Sequence, residues 1–159
     1  MSQIRNKTIA GLKLGDIFKV ARTFSQAEMT VFADISRDYN PVHFDERFAA
    51  TKGFDRCICH GMLVASILTE IGGQIGWLAS GMDLRFLKPV YFDDTVTCRC
   101  TLTELDERGK AVAECIFKNQ TNETVVEATL KGIIPGQLEI DVLVKMVAEG
   151  DPTNPLAGV

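Results

Sequence analysis

Several things are scarce or absent in this sequence of 159 residues. No run approaches the roughly 20 apolar residues of a membrane span; the longest apolar stretch of note, Gly61 to Leu68, is far shorter. Positive charge is in deficit: 17 Lys and Arg stand against 21 Asp and Glu, a net charge of -4. That balance excludes a general nucleic-acid binder, which needs surplus cations facing the phosphates. A small anionic ligand needs only a local positive cluster and stays open. The first residues, MSQIRNKTIAGLKLGD, lack the apolar core of a secretory signal. The expectation is therefore a cytoplasmic protein with no membrane partner. Five cysteines exclude a complete disulfide framework within one chain. Cys57 and Cys59, and Cys98 and Cys100, are spaced by two, unlike the gap in zinc and redox pairs. Cys59-His60 looks like a metal corner, but the favoured expectation is no metal, with the thiols serving as small hydrophobes in a reduced compartment.

The chain has no internal repeat, low-complexity tract or charge run, and its length suits one domain. A short β-like run, IFKVART, ends at Thr23. Ser25 and Glu28 form a capping box, and Met29, Phe32, Ala33 and Ser36 behind it have helical spacing, with a stop near Arg37. Residues 37–60, with Asn40-Pro41 and Gly53, read as loop with one short helix around Asp45 to Ala50. Gly61 to Ala79 is apolar around most of its circumference, with Glu70 as its only charge, which predicts one long buried helix. After Gly81 the period changes to two: Thr95 to Thr103, Lys110 to Lys118, and Glu123 to Ile134 across a turn at Asn119 to Asn122 predict antiparallel strands. A buried helix followed by such strands implies an α+β architecture with the sheet curled around the helix. From Gln137 to Val159 the expectation is an extension with a short helix at Ile140 to Ala148 and a mobile tail.

Only His43 and His60 offer imidazole chemistry. In Asp38-Tyr39-Asn40-Pro41-Val42-His43, Pro41 removes a backbone donor and turns Asn40 from helical geometry. The resulting bend can face Asp38 and His43 onto one space, where a carboxylate and an imidazole hold a water as acid and base. The alternative is an ordinary surface hydrogen bond in a loop. His60-Gly61-Met62 opens the apolar segment, where free N–H groups can bind a carbonyl or oxyanion and a glycine admits a substrate to the backbone; a glycine N-cap beside a packed histidine is the plainer reading. Glu70 is either a site carboxylate or a hydrogen-bonded structural acid. Arg85 and Lys88 can meet phosphates or be solvated strand charges.

Together these residues carry a resemblance. The run Ile35-Ser36-Arg37-Asp38-Tyr39-Asn40-Pro41-Val42-His43, with Ala49 six residues on, resembles the hydratase 2 motif of the MaoC-like, (R)-specific enoyl-CoA hydratase family. His60-Gly61-Met62, and Phe86-Leu87-Lys88-Pro89-Val90 followed by Asp94-Thr95-Val96, lie at that family's usual separations, so the resemblance covers roughly residues 11–134. Arg37 departs from it, standing where many members have glycine, and the tail from Gln137 has no recognised counterpart. The resemblance implies a single hot-dog domain over residues 1–136, followed by the extension at 137–159, and assembly as a homodimer or higher homo-oligomer. It implies reversible syn hydration of a trans-2-enoyl-CoA to an (R)-3-hydroxyacyl-CoA, with an acyl-carrier-protein thioester as the other possible carrier and no cofactor beyond the substrate. Carried onto this chain, Asp38 and His43 hold the water and the Gly61 N–H binds the thioester oxygen. Asn40, Thr69, Gly72, Arg85 and Lys88 are further candidates for substrate contact. An acyl tail starting at Gly61 would run along the helix face of Val64, Ala65, Leu68, Thr69 and Gly72. Two rivals remain: a hot-dog thioesterase using Glu70, and a non-catalytic acyl-CoA-binding module.

Overall fold

The computed structural model describes residues 2–158, with 157 and 158 given by backbone alone. A helix not anticipated from the periodicity, α1 (Gln3–Ile9), precedes the first strand, and the Ser2 hydroxyl caps it by accepting from the Arg5 N–H at 3.1 Å. Strand β1 (Ile17–Thr23) follows, then α2 (Gln26–Ser36), started by the expected capping box between Ser25 and Glu28. A 3-10 turn at Pro41–His43 and a short helix, α3 (Glu46–Thr51), fill the loop region.

The expected single helix from Gly61 to Ala79 is corrected by the structure. It comprises α4 (Gly61–Ala65) and α5 (Ile67–Ile75), interrupted at Ser66, whose hydroxyl donates to the Leu63 carbonyl at 2.6 Å. Such a bond to the preceding turn competes with the helix's own donors. The helix stops at Gly76, which adopts φ 81°, and the N–H groups of Gly76 and Trp77 both donate to the Gly72 carbonyl. Glycine reaches this left-handed geometry without a Cβ penalty. Leu78 therefore belongs not to the helix but to strand β2 (Leu78–Phe86).

Strands β3 (Thr95–Leu105), β4 (Lys110–Lys118) and β5 (Thr124–Ile133) complete an antiparallel sheet of order β1-β3-β4-β5-β2. Side chains alternate across a strand, so Val96, Cys98, Cys100 and Leu102 of β3 are all buried while Thr97 and Arg99 face outward. Ala111, Ala113, Cys115 and Phe117 repeat the pattern on β4. Against this face lies α5, whose Ile67, Leu68, Ile71 and Ile75 are at most 1% exposed. Each such side chain contributes about 1.5–3 kcal/mol on burial. This is the expected α+β arrangement, a sheet wrapped on a central helix. All five cysteines are free and buried, as small hydrophobes of the interior.

Helix α6 (Gln137–Ala148) begins a turn before the expected Ile140. The tail behind it is anchored: Asp151 and Asn154 are buried, and Asp151 accepts from the Arg5 guanidinium at 3.3 Å. Arg5 also donates to the carbonyls of Gln74 at 2.6 Å and Gly73 at 3.2 Å, so it satisfies the C-terminal end of α5. None of the described helices is long and apolar enough to cross a membrane.

Candidate active site

The site starts where α2 stops. Arg37 takes φ 58° and ψ 25° and turns the chain out of the helix, a left-handed geometry that side chains other than glycine adopt at a cost. Two side chains then wind the loop. The Asp38 carboxylate accepts from the Asn40 N–H at 3.2 Å, and the Asn40 side chain accepts from the Val42 N–H at 3.2 Å. Pro41 continues the bend into the 3-10 turn. Asp38 and His43 consequently face each other, with Oδ2 and Nε2 3.8 Å apart. That separation is too long for a direct hydrogen bond and lets one water touch both at about 2.8 Å.

The two partners differ in environment. Half of the Asp38 side chain is exposed, whereas His43 is buried. The His43 Nδ1–H donates to the Ile58 carbonyl at 2.8 Å, which leaves Nε2 as the bare acceptor toward Asp38. Burial holds the imidazole below its ordinary value; the neighbouring His60 lowers it further, against the raising effects of the Ile58 carbonyl and Asp38. His43 is therefore neutral at neutral pH, with Nε2 able to accept.

Segment 57–60 is tied to the chain beyond β2: Ile58 bridges Tyr91, and the Cys59 N–H donates to the Val90 carbonyl at 2.8 Å. This places Gly61 at the rim of a cavity of about 410 Å³ that also receives Asp38 and His43. Its apolar wall is made chiefly by Phe54, Ile58, Met62, Val64, Phe86 and Val126. Gly61 holds the first position of α4, and its N–H has no acceptor among the described residues. A Cβ at this position would stand 2.7 Å from the Phe86 ring, so any larger residue must displace that ring. Cys59 also lines the cavity, but burial pushes its thiol up to about 12, which leaves no thiolate to act as nucleophile.

The other candidates are distributed unevenly. Lys88 lines the cavity, and its ammonium pairs with Glu123, whose carboxyl it draws down to about 2. Arg85 points to the outer side of the sheet and pairs with Glu127 at 3.0 Å. Asn40 serves the loop rather than the cavity wall. Thr69 is exposed and donates to the Ser66 carbonyl at 2.7 Å, and Gly72 is buried beside Trp77, whose Cβ lies 3.9 Å from the place of a Gly72 Cβ. Of the proposed acyl-tail face only Val64 reaches the cavity; Ala65 and Leu68 are packed in the core. Glu70 is likewise outside it, held by Arg22 at 3.6 Å and Gln74 at 3.5 Å. Of this wall only Val64 stands on a face that the sequence predicts to meet substrate; Met62 and Phe86 belong to motif runs without a predicted place in the cavity, and Phe54, Ile58 and Val126 carry no local signal.

Asp38, His43 and His60 bring possible ligand atoms within 4.8 Å of one another. The set suits a metal ion poorly. His60 Nε2 carries the hydrogen of a 2.8 Å bond to the Asp38 backbone carbonyl, and the two imidazoles stack at 28° between planes, so their lone pairs do not converge.

A sheet wrapped on a central helix defines a hot-dog domain, and here a carboxylate–imidazole pair stands beside a backbone N–H that has no acceptor among the described residues. Residues 15–128 match the MaoC like domain. An (R)-specific enoyl-CoA hydratase of Aeromonas caviae is 40% identical over 100 residues, covering 60% of this chain and 75% of that protein. A mitochondrial 3-hydroxyacyl-[acyl-carrier-protein] dehydratase of Arabidopsis thaliana is 32% identical over 155 residues, covering 93% and 90% of the two chains. The solved (R)-hydratase from A. caviae, described as involved in PHA biosynthesis, superposes with a TM-score of 0.74 at 34% identity over 79% of this chain and 98% of its own. The chain belongs to the MaoC-like dehydratase family. It is an enzyme of the hydratase and dehydratase kind.

Proposed function

We propose that this protein catalyses the reversible syn addition of water to a trans-2-enoyl thioester, giving the (R)-3-hydroxyacyl thioester. The observation that carries the reading is the 3.8 Å space between Asp38 Oδ2 and His43 Nε2, at a cavity whose rim holds the unpartnered Gly61 N–H. Attack on a conjugated thioester builds negative charge on the thioester oxygen. A preorganised N–H at that oxygen stabilises the transition state by about 2.7–4 kcal/mol in a comparable oxyanion hole. Gly61 supplies that donor. The neutral His43 takes one proton from the water as its oxygen bonds to C3, while the Asp38 carboxylate accepts a hydrogen bond from the remaining O–H, which stays on the oxygen, and so orients the molecule. The His43 imidazolium then returns its proton to C2 from the same side, which accounts for syn geometry. Dehydration runs the same steps backwards.

The carrier is CoA or acyl carrier protein, each a thiol that holds the acyl group as a thioester and each named for a relative. Lys88 at the cavity supports an anionic carrier. Five free thiols support a reducing, cytoplasmic setting. Edge strand β2, with Leu78 at 73%, Met82 at 44% and Phe86 at 50% exposure, supports pairing with a second copy, since an open apolar edge is otherwise a template for aggregation.

Loss of enoyl absorbance from crotonyl-CoA, followed by chiral analysis of the product, tests the reaction. Asp38→Asn and His43→Ala should each lower turnover by about 10²–10⁴-fold with the fold intact. Release of free thiol without hydration would instead indicate a thioesterase. Against that rival stands the position of Glu70, which lies outside the cavity and is paired with Arg22.

A further inference from the structure

His60 is 1% exposed and has no assigned part in the reaction above. Its surroundings are unusually constraining. The Nε2–H donates to the backbone carbonyl of Asp38 at 2.8 Å, across 22 positions of sequence. One face of its ring lies on His43, with centroids 3.7 Å apart and planes 28° from parallel. Phe32 at 5.2 Å and Phe44 at 6.2 Å enclose it further. One imidazole therefore touches both members of the water-binding pair, one by a hydrogen bond and the other by stacking.

The remaining nitrogen makes the point sharper. His60 Nδ1 is buried and has no hydrogen-bond partner among the described residues, and an unsatisfied buried acceptor is destabilising. A phenylalanine would fill the same space and stack on the same ring without that penalty. Packing thus gives no reason for an imidazole here; the reason is the hydrogen on Nε2. The Asp38 carbonyl follows directly on the left-handed turn at Arg37, where the chain has left α2 and no helical donor remains to hold it.

We propose that His60 is a positioning residue that fixes the Asp38 loop through its Nε2–H. It exchanges no proton with substrate. This inference rests on the hydration reading, in which Asp38 and His43 must share one water at a defined separation.

Two variants and one measurement on the wild-type protein test it. His60→Phe keeps a stacking ring and removes the donor, whereas His60→Gln places an amide N–H at a similar reach. The expected result is a fall in kcat of at least about tenfold for His60→Phe, with KM for crotonyl-CoA within about threefold. His60→Gln should retain kcat within about threefold of wild type, and both melting temperatures should stay within a few degrees. A His60→Phe variant with kcat near wild type overturns the proposal, as does a His60→Gln variant impaired below about a tenth; the latter decides the matter alone if His60→Phe does not fold. Independently of turnover, 15N shifts of His60 should report a protonated Nε2 and a bare Nδ1, and the opposite tautomer overturns the proposed bond. If the wild-type protein does not hydrate crotonyl-CoA, the functional reading falls by itself while the tautomer still tests the hold on Asp38.

Discussion

Adding one methyl group at Gly61 should lower this protein's activity about 10²-fold with little effect on its stability. A Cβ there would lie 2.7 Å from Phe86 Cε1 and 3.0 Å from both Cδ1 and Cζ, against an ordinary carbon contact of about 3.5–4.0 Å. Something must move by about 1 Å to restore that contact. Phe86 is 50% exposed and lines the cavity, so its ring gives way before the main chain does. The displaced ring narrows the space beside the proposed oxyanion donor, and a misplacement of about 1 Å at a reacting centre can cost about 10²-fold. Stability is pulled both ways. Alanine favours a helix over glycine by up to about 1 kcal/mol, while overpacking costs about 1–3 kcal/mol before the ring relaxes. The expected result for Gly61→Ala is therefore a kcat/KM on crotonyl-CoA about 10²-fold lower, with a melting temperature within about 2–4 °C of wild type. Phe86→Ala in the same chain removes the obstructing ring and should recover part of the loss, a coupling that a double-mutant cycle isolates. A Gly61→Ala protein with near-wild-type kcat/KM would refute the argument that substrate binds against Gly61, and so would a double variant with no recovery at all.

Because burial lowers the His43 pKa, the hydration rate should hold from neutral pH down past the ordinary imidazole value of about 6.5 and decline only below it; an acid limb of kcat/KM centred above that value would contradict a buried neutral base. The same shift has a thermodynamic sign: stability conferred on the neutral form is present above about pH 6.5 and is lost as pH falls toward the folded-state value, because the unfolded imidazole binds its proton first. Arg5→Met should leave Asp151 buried without its partner, costing about 3–5 kcal/mol and lowering the melting temperature by about 6–20 °C; a change under about 3 °C in a thermal melt would show the pair to be dispensable. Arg37→Gly relieves a left-handed residue at φ 58° and should gain about 0.5–1 kcal/mol after the extra chain entropy of glycine, read as a small upward shift in denaturant midpoint; a downward shift would mean that the Arg37 side chain does more than occupy a turn.

What could be read from the amino acids alone is what neighbours along the chain decide. The Ser25–Glu28 box starts α2 as expected, since both its bonds close within one helical turn. The period-two run from Thr95 marks the buried face of β3, because alternate side chains of a strand face opposite ways. Asp38 and His43 converge through Asx turns that span two residues each. Gly76 carried a legible stop signal as well, a glycine behind a periodic apolar run, yet the apolar Trp77-Leu78 pair continued the pattern and concealed the start of β2. The tertiary structure alone decided the rest. Nothing near Arg5 in sequence shows that its charge meets Asp151, 146 positions away, or that α1 closes the end of α5. Arg85 and Lys88 stand in one short run, but strand alternation sends Arg85 outward to Glu127, while Lys88, beyond the end of β2, reaches the cavity. Thr69 and Gly72 lie on α5, beyond the break at Ser66 from the α4 residues of the site, and miss it, because the cavity wall is completed by residues from the segments after β2 and from β5 rather than by one continuous helix face. A hydrogen bond such as that of His60 to Asp38 forms only after distant segments have been brought together by burial of the core, and burial follows from apolar area without specifying which polar atoms will meet.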